Sequence, residues 1–140
     1  MKHIRSHVLV CGGTGCASSG SKKVMDVLKE ELEQKGLAPE VKIVETGCHV
    51  FCEMGPIMII YPEGTFYCRV QPEDIAEIVD VHIYKGRIVN RLLYREPISH
   101  ERIPNFEHML FYKKQLRRIL TNCGHINPEV IEEYIATGGY

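Results

Sequence analysis

Two short apolar runs constrain the fold more than any other feature of the sequence. Residues 7–11, HVLVC, end at the glycine-rich stretch GGTG, which is typical of a strand that enters a loop. Residues 40–46, EVKIVET, have the alternation of a second strand. A helix between them would make a β-α-β unit, in which the two strands are parallel and end at the same edge of the sheet.

The segment between the two runs meets this requirement. Its apolar side chains recur at helical spacing, at Val24, at Val27 or Leu28, and at Leu32. We expect Ser21 or a neighbouring serine to cap the start of this helix, and Gly36 lies just past its end.

A hairpin and a second helix are predicted next. Two apolar runs flank the turn sequence PEGT, which contains Pro62 and Gly64. The following segment, QPEDIAEIVDVHIYKG, places Pro72 at a first helical position. Three side chains are expected to face inward from this helix: Ile75, Ile78 and Val79. The predicted fold class is therefore α/β, with the order β-α-β-β-β-α, a four-stranded mixed sheet and a domain boundary after residue 86.

Residues 87–140 differ in composition from the segment before them. They begin as a charged, proline-punctuated stretch that predicts an extended connector, and they end in two short helical segments. The second of these segments opens with a cap-and-proline signal at Asn127 and Pro128. Two short helices bury little surface alone, so we expect them to pack on the first domain or on a structure outside this chain.

Charge and hydropathy exclude several classes of function. The net charge is -1, and the basic residues are spread along the chain, so nucleic acid is not an expected partner. No apolar stretch is long enough to cross a bilayer, and the first apolar run is too short for a signal-peptide core. We therefore expect a cytoplasmic location. In that reducing compartment we expect the six cysteines to be thiols or metal ligands and not disulfides.

Four of these cysteines form two local pairs in the loops that follow the first two strands. Cys11 and Cys16 have C-x4-C spacing, and Cys48 and Cys52 have C-x3-C spacing. Because parallel neighbouring strands end at one edge, the two loops can converge and bring four thiolates together. The glycines after Cys11 and the positive end of the first helix favour an anionic group there.

The spacing favours an iron–sulfur cluster but leaves alternatives open. Iron–sulfur clusters take four cysteine thiolates and suit looser spacings, whereas structural zinc sites often pair two C-x2-C turns. A zinc-stabilised interaction domain is the main alternative. A thioredoxin-type oxidoreductase would need C-x-x-C at a helix start. We interpret Cys68 and Cys123 as small core residues, and His49 as a neighbour of the site.

The two cysteine motifs together resemble a known family. VCGGTGCASSGS and ETGCHVFCEMGP, in this order of elements, are similar to the thioredoxin-like [2Fe-2S] ferredoxin domain of NADH-oxidising flavoprotein subunits. Such subunits occur in NAD(P)-linked and electron-bifurcating [FeFe] hydrogenases and are related to the NADH-binding flavoprotein subunit of complex I. Residues 112–140 are similar to the segment that precedes the flavin domain in these subunits.

The resemblance implies a thioredoxin-like fold and a one-electron transfer function. It implies that Cys11, Cys16, Cys48 and Cys52 each ligate a [2Fe-2S] cluster. It also implies that the chain is the N-terminal module of a longer subunit, with FMN and NADH bound only by a downstream domain. The expected partners are that flavin/NADH domain and other iron–sulfur subunits of the parent complex, and the chain alone is not expected to oxidise NADH.

One residue departs from the family pattern. Val50 stands between the second pair of cysteines, where the family usually has glycine. If that position needs a positive φ, a β-branched side chain costs about 1–3 kcal/mol, so we expect strain at Val50.

Overall fold

A computed structural model describes residues 4–47, 52–109, 114, 116, 118, 122, 126, 127 and 129–139. Its centre is a sheet of four strands, which are β1 (Ser6–Cys11), β2 (Val41–Thr46), β3 (Met58–Tyr61) and β4 (Thr65–Tyr67). The strand order is β2-β1-β3-β4. β1 and β2 are parallel, while β3 is antiparallel to both β1 and β4. The predicted mixed sheet, with one parallel pair followed by a hairpin, is therefore confirmed.

Two helices connect β1 to β2. Helix α2 (Ser21–Gln34) is the predicted amphipathic helix, and Val24, Leu28 and Leu32 are its most buried apolar residues, each at most 1 % exposed. A shorter helix, α1 (Thr14–Ser18), precedes it and was not predicted.

The predicted serine cap of α2 is wrong. Gly20 occupies the N-cap position with a φ of 97°, and no side chain caps the helix. The left-handed backbone turns the chain sharply from α1 into α2, a turn that glycine makes without steric cost. The glycine signal at the other end is confirmed, because Gly36 follows the helix with a φ of 68°.

The second predicted helix is composite. It has a 3₁₀ turn (Pro72–Asp74), an α-helical turn (Ile75–Glu77) and a π-helical segment (Ile78–Tyr84). Pro72 lies in the first turn as predicted, and the side chains of Gln71 and Asp74 form a capping box. The three side chains that were expected to face inward, Ile75, Ile78 and Val79, are all 0 % exposed.

The segment after this helix is extended and covers the sheet. It contains the 3₁₀ turns Asn90–Leu92 and Phe106–His108 and a two-stranded ribbon, β5 (Tyr94–Arg95) and β6 (Arg102–Ile103). Val89 and Leu93 join the core under α2, whereas Tyr94 and Met109 pack on the opposite face of the sheet. The boundary after residue 86 stays a prediction, and the start of the connector belongs to the same core as the first domain.

The described C-terminal part contains one helix, Ile131–Ala136. It begins at Ile131 and not at the cap-and-proline signal of Asn127 and Pro128, because the backbone of its N-cap residue, Val130, is still extended. The other predicted helical segment, around residues 110–124, lies mostly outside the described residues. Among the helices in the described ranges, none combines the length and hydropathy needed to cross a membrane.

Candidate iron–sulfur site

Cys11 is the last residue of β1. It is paired in register with Thr46, the last residue of β2, and its side chain is 1 % exposed. Its Sγ atom lies 3.8 Å from the carbonyl oxygen of Gly47, which immediately precedes Cys48 in the sequence. The prediction that the two cysteine loops leave neighbouring strand ends is therefore confirmed at the residues that begin each loop.

A close backbone approach holds the start of the first loop against β2. The N–H group of Gly12 donates to the carbonyl oxygen of Thr46 at 2.8 Å. A Cβ atom at Gly12 would lie 2.6 Å from the carboxylate of Glu45, so the exposed side chain of Glu45 would have to move to admit a side chain there. The loop after Cys11 thus stays at the edge where β1 and β2 end.

Cys16 lies on α1, not in an irregular loop. Its side chain is 1 % exposed and is buried with Cys11 in one apolar cluster. This cluster also contains Ile57, Phe66 and Met109. Local periodicity could not reveal a helix of five residues whose sequence, TGCAS, carries no apolar pattern.

The second pair is described in part. Cys52 begins a 3₁₀ turn, Cys52–Met54, which packs against α1. The side chain of Cys52 lies outside the described residues, as do Cys48, His49 and Val50, so the ligand roles of the two cysteines and the strain at Val50 stay predictions. Within the described ranges, no three potential metal ligands come together.

The residues fit an iron–sulfur cluster in their chemistry. Two buried cysteines, on β1 and α1, lie in one cluster, and α1 packs against the 3₁₀ turn that starts at Cys52. Lys22 and Lys23 are exposed in the first turn of α2, where they can offset negative charge near α1. Sulfur ligands and nearby positive charge suit the anionic, thiolate-bound cluster that the spacing favours.

Cys68 lies outside the two cysteine pairs in the sequence and follows a different strand. It follows β4, is partly exposed, and its Sγ atom lies 3.6 Å from the carbonyl oxygen of Leu92. Burial raises the pKa of its thiol, while the neighbouring Arg69 acts in the opposite direction. Cys68 packs against the same apolar cluster as Cys11, as a small side chain would. Cys123 lies outside the described residues.

Comparison with known proteins identifies the family. The sequence profile of the thioredoxin-like [2Fe-2S] ferredoxin family matches residues 2–82, more than half of the chain. The chain belongs to the thioredoxin-like [2Fe-2S] ferredoxin family. A "Ferredoxin, 2Fe-2S" of Clostridium pasteurianum is 36 % identical over 100 residues, which cover 66 % of this chain and 98 % of that relative. Its counterpart from Aquifex aeolicus is 39 % identical over 79 residues, or 56 % of this chain and 71 % of that relative.

A solved structure of a thioredoxin-like [2Fe-2S] ferredoxin from Aquifex aeolicus supports the same assignment. It is 37 % identical to this chain, with a TM-score of 0.58, and the match covers 64 % of this chain and 89 % of that one. The thioredoxin-like fold, the [2Fe-2S] cofactor and the electron-carrier function predicted from the cysteine motifs are therefore confirmed at the level of the family.

Proposed function

We propose that this ferredoxin is a one-electron transfer module of a larger NAD(P)H-linked oxidoreductase, of the hydrogenase or NADH dehydrogenase type. Cys11, Cys16, Cys48 and Cys52 are the proposed cluster ligands. When bound, the cluster supplies one-electron redox chemistry that protein side chains do not offer. The burial of Cys11 and Cys16 at the edge where β1 and β2 end carries the ligand proposal, because the second cysteine loop leaves the same edge.

The proposal of a larger complex depends on the C-terminal third of the chain. The Clostridium pasteurianum relative is matched over 98 % of its own length, yet that match covers 66 % of this chain. The C-terminal helix exposes Ile131, Tyr134 and Ile135, which are 57 %, 47 % and 54 % exposed. Exposed apolar side chains on one short helix suit packing against another domain. We propose the flavin/NADH domain of the full-length subunit as that domain.

The remaining partners follow from the same proposal. Other iron–sulfur subunits of the parent complex would accept the electron, and nucleic acid has no part in the reaction. The proposed location is the cytoplasm. The alternative, a zinc-stabilised interaction domain, is not favoured, because the family is defined by its iron–sulfur cofactor.

Metal analysis of the purified chain tests the ligand proposal. We expect about two irons and two acid-labile sulfides per chain, with a visible spectrum that dithionite bleaches. Cys48→Ala is expected to lose the cluster. Cys68→Ala is the matched control and is expected to retain it. Full cluster content in Cys48→Ala would contradict the ligand set, and one zinc without visible absorption would support the alternative.

The link to NAD(P)H has a separate test. The isolated holoprotein is mixed anaerobically with NADH, first alone and then with the flavin/NADH domain of an NADH-oxidising subunit. We expect bleaching of the visible spectrum only in the second mixture. If the added domain reduces its own flavin but leaves this cluster oxidised, the proposed complex is wrong, whereas the cluster assignment is unaffected.

A further inference from the structure

A groove with arginines on its rim opens beside the 3₁₀ turn Cys52–Met54. It has a volume of about 340 Å³, and its lining includes Arg69, Arg91, Arg95, Met54, Cys68 and Leu93. We call this feature the basic groove. No acidic residue is among the described residues that line it.

The basic groove is tied to the predicted ligand loop through the backbone. Met54 ends the 3₁₀ turn that begins at Cys52. Since a 3₁₀ helix rises about 2 Å per residue, these two positions are separated by about 4 Å along the turn. The N–H group of Arg69 donates to the carbonyl oxygen of Met54 at 2.7 Å, which fixes Arg69 next to this turn.

Arg69 and Arg95 form no ion pair with a described residue, whereas Arg91 does. Arg91 pairs with Asp74 at 2.7 Å and also with Glu77. Arg95 donates to a neutral acceptor, the carbonyl oxygen of His100, at 3.0 Å. Arg69 is exposed and makes no ion pair with any residue in the described ranges. The basic groove therefore presents a local positive charge on a chain whose net charge is -1.

This arrangement of arginines is costly for the fold itself. Arg69 has a φ of 51°, a left-handed backbone in which a residue other than glycine loses about 1–2 kcal/mol. Arg95 lies directly opposite Arg102 in the β5–β6 ribbon, and like charges at such positions are destabilising. The backbone of Arg69 and the pairing of Arg95 with Arg102 thus cost folding stability, a cost that binding of an anionic partner would explain.

The composition of the basic groove suits a transient protein interface. Arginine and methionine are enriched at such interfaces, and a partly apolar floor with a charged rim is their usual anatomy. Interfaces of redox partners are small and depend on electrostatic steering for fast association. An electron carrier also needs close approach of its partner to the cluster.

We propose that the basic groove is the docking surface for a redox partner protein that presents an acidic patch, with its carboxylates facing Arg69 and Arg95. This proposal goes beyond the membership of a larger complex and does not depend on it. The partner would approach over Met54, next to the loop that carries Cys52.

Direct binding is the first test. The probe is fluorescein-labelled poly-L-glutamate, and its anisotropy is measured against the holoprotein at low ionic strength. The double variant Arg69→Glu/Arg95→Glu removes the basic rim. The control Lys29→Glu/Arg87→Glu makes the same change in net charge at two exposed residues that do not line the basic groove. We expect binding to weaken about tenfold or more in the first variant, and less than threefold in the control.

Electron transfer to small oxidants is the second test. Stopped-flow absorbance follows oxidation of the dithionite-reduced holoprotein by ferricyanide, an anion, and by hexaammineruthenium(III), a cation. Arg69→Glu/Arg95→Glu should react about tenfold more slowly with ferricyanide, a change at the lower end of the range for electrostatic steering. The same variant should react faster with the ruthenium complex. An unchanged cluster spectrum in both double variants shows that the site is intact.

The proposal requires the two double variants to differ in both assays. Equal effects would show that net charge alone acts, and the docking surface would be refuted. Absence of poly-L-glutamate binding to the wild type would refute it equally. Displacement of the peptide by inorganic phosphate, but not by sodium chloride of the same ionic strength, would make the basic groove a phosphate site and would overturn the proposal.

Discussion

The side chain of Tyr67 offers a direct test of how the fold is stabilised. It is 0 % exposed, and its hydroxyl accepts a hydrogen bond from the N–H group of Val89 at 3.0 Å. The same oxygen lies 2.6 Å from Nδ1 of His82. Since burial raises the pKa of Tyr67 to about 12, the hydroxyl keeps its proton at neutral pH and can donate it to His82. One hydroxyl thus joins β4, the π-helical segment and the start of the connector.

Tyr67→Phe removes that hydroxyl without changing the packing of the ring. The N–H group of Val89 and Nδ1 of His82 then lose their shared partner, and both residues are at most 5 % exposed. A buried polar group without a partner costs about 1–3 kcal/mol. Two such groups, partly offset because the tyrosine hydroxyl no longer has to be buried, give a loss of about 2–4 kcal/mol in the free energy of unfolding.

Native-state hydrogen exchange can measure this loss in the holoprotein. A loss of 2–4 kcal/mol corresponds to exchange about 30- to 1000-fold faster at amides that open only by global unfolding, such as those of β3. Tyr84→Phe, in the π-helical segment, is the matched control, because Tyr84 is 64 % exposed and its change should have an effect below about 0.5 kcal/mol. Exchange rates of β3 that differ less than threefold between the two variants would refute the role given to the Tyr67 hydroxyl.

Three other changes test separate parts of the structure. Burial lowers the pKa of His82, so the contribution of neutral His82 to stability is complete above pH 6.5 and decreases as the pH falls below it. Hydrogen exchange at two pH values, corrected for intrinsic rates, should show a weaker pH dependence of stability in His82→Gln than in the wild type. Leu28→Ala should lower the free energy of unfolding by about 2–5 kcal/mol, measured by the same exchange, and Lys29→Ala on the exposed face should not. Gly20→Ala should lower the free energy of unfolding by about 1–2 kcal/mol through the φ of 97° alone, since no atom lies within 4 Å of an added Cβ. Gly20→Asn should lower it less, because asparagine tolerates this backbone better. Equal losses in the two variants would contradict the conformational reason.

The sequence predicted those features that depend on local pattern. The spacing of Val24, Leu28 and Leu32 identified α2, and the turn residues of PEGT identified the β3–β4 hairpin. The position of Cys11 at a strand end next to the second cysteine loop followed from the handedness of β-α-β connections. Each prediction used periodicity, turn chemistry or a topological rule, all of which are encoded in neighbouring residues.

Features that depend on contacts between distant residues were not predicted. Helix α1 is too short for a periodic signal, and its one buried residue is Cys16, which packs with residues far away in the sequence. The Tyr67–His82 hydrogen bond joins residues 15 positions apart in different elements, and the contact of Tyr67 with Val89 spans 22. The basic groove likewise combines a residue after β4 with residues of the connector, whose charges appear evenly spread in the sequence.

The connector links the stability of the domain to the proposed docking surface. Val89 and Leu93 are at most 7 % exposed in the core under α2, and Tyr67 forms an isolated β-bridge with Leu93. The same short segment carries Arg91 and Arg95, which line the basic groove. Both arginines lie outside residues 2–82, which the family profile matches. The apolar residues of the connector hold it against the sheet and thereby keep its arginines beside the turn that begins at Cys52. Under the proposed docking, substitution of these arginines changes partner binding and leaves the apolar contacts of Val89 and Leu93 in place.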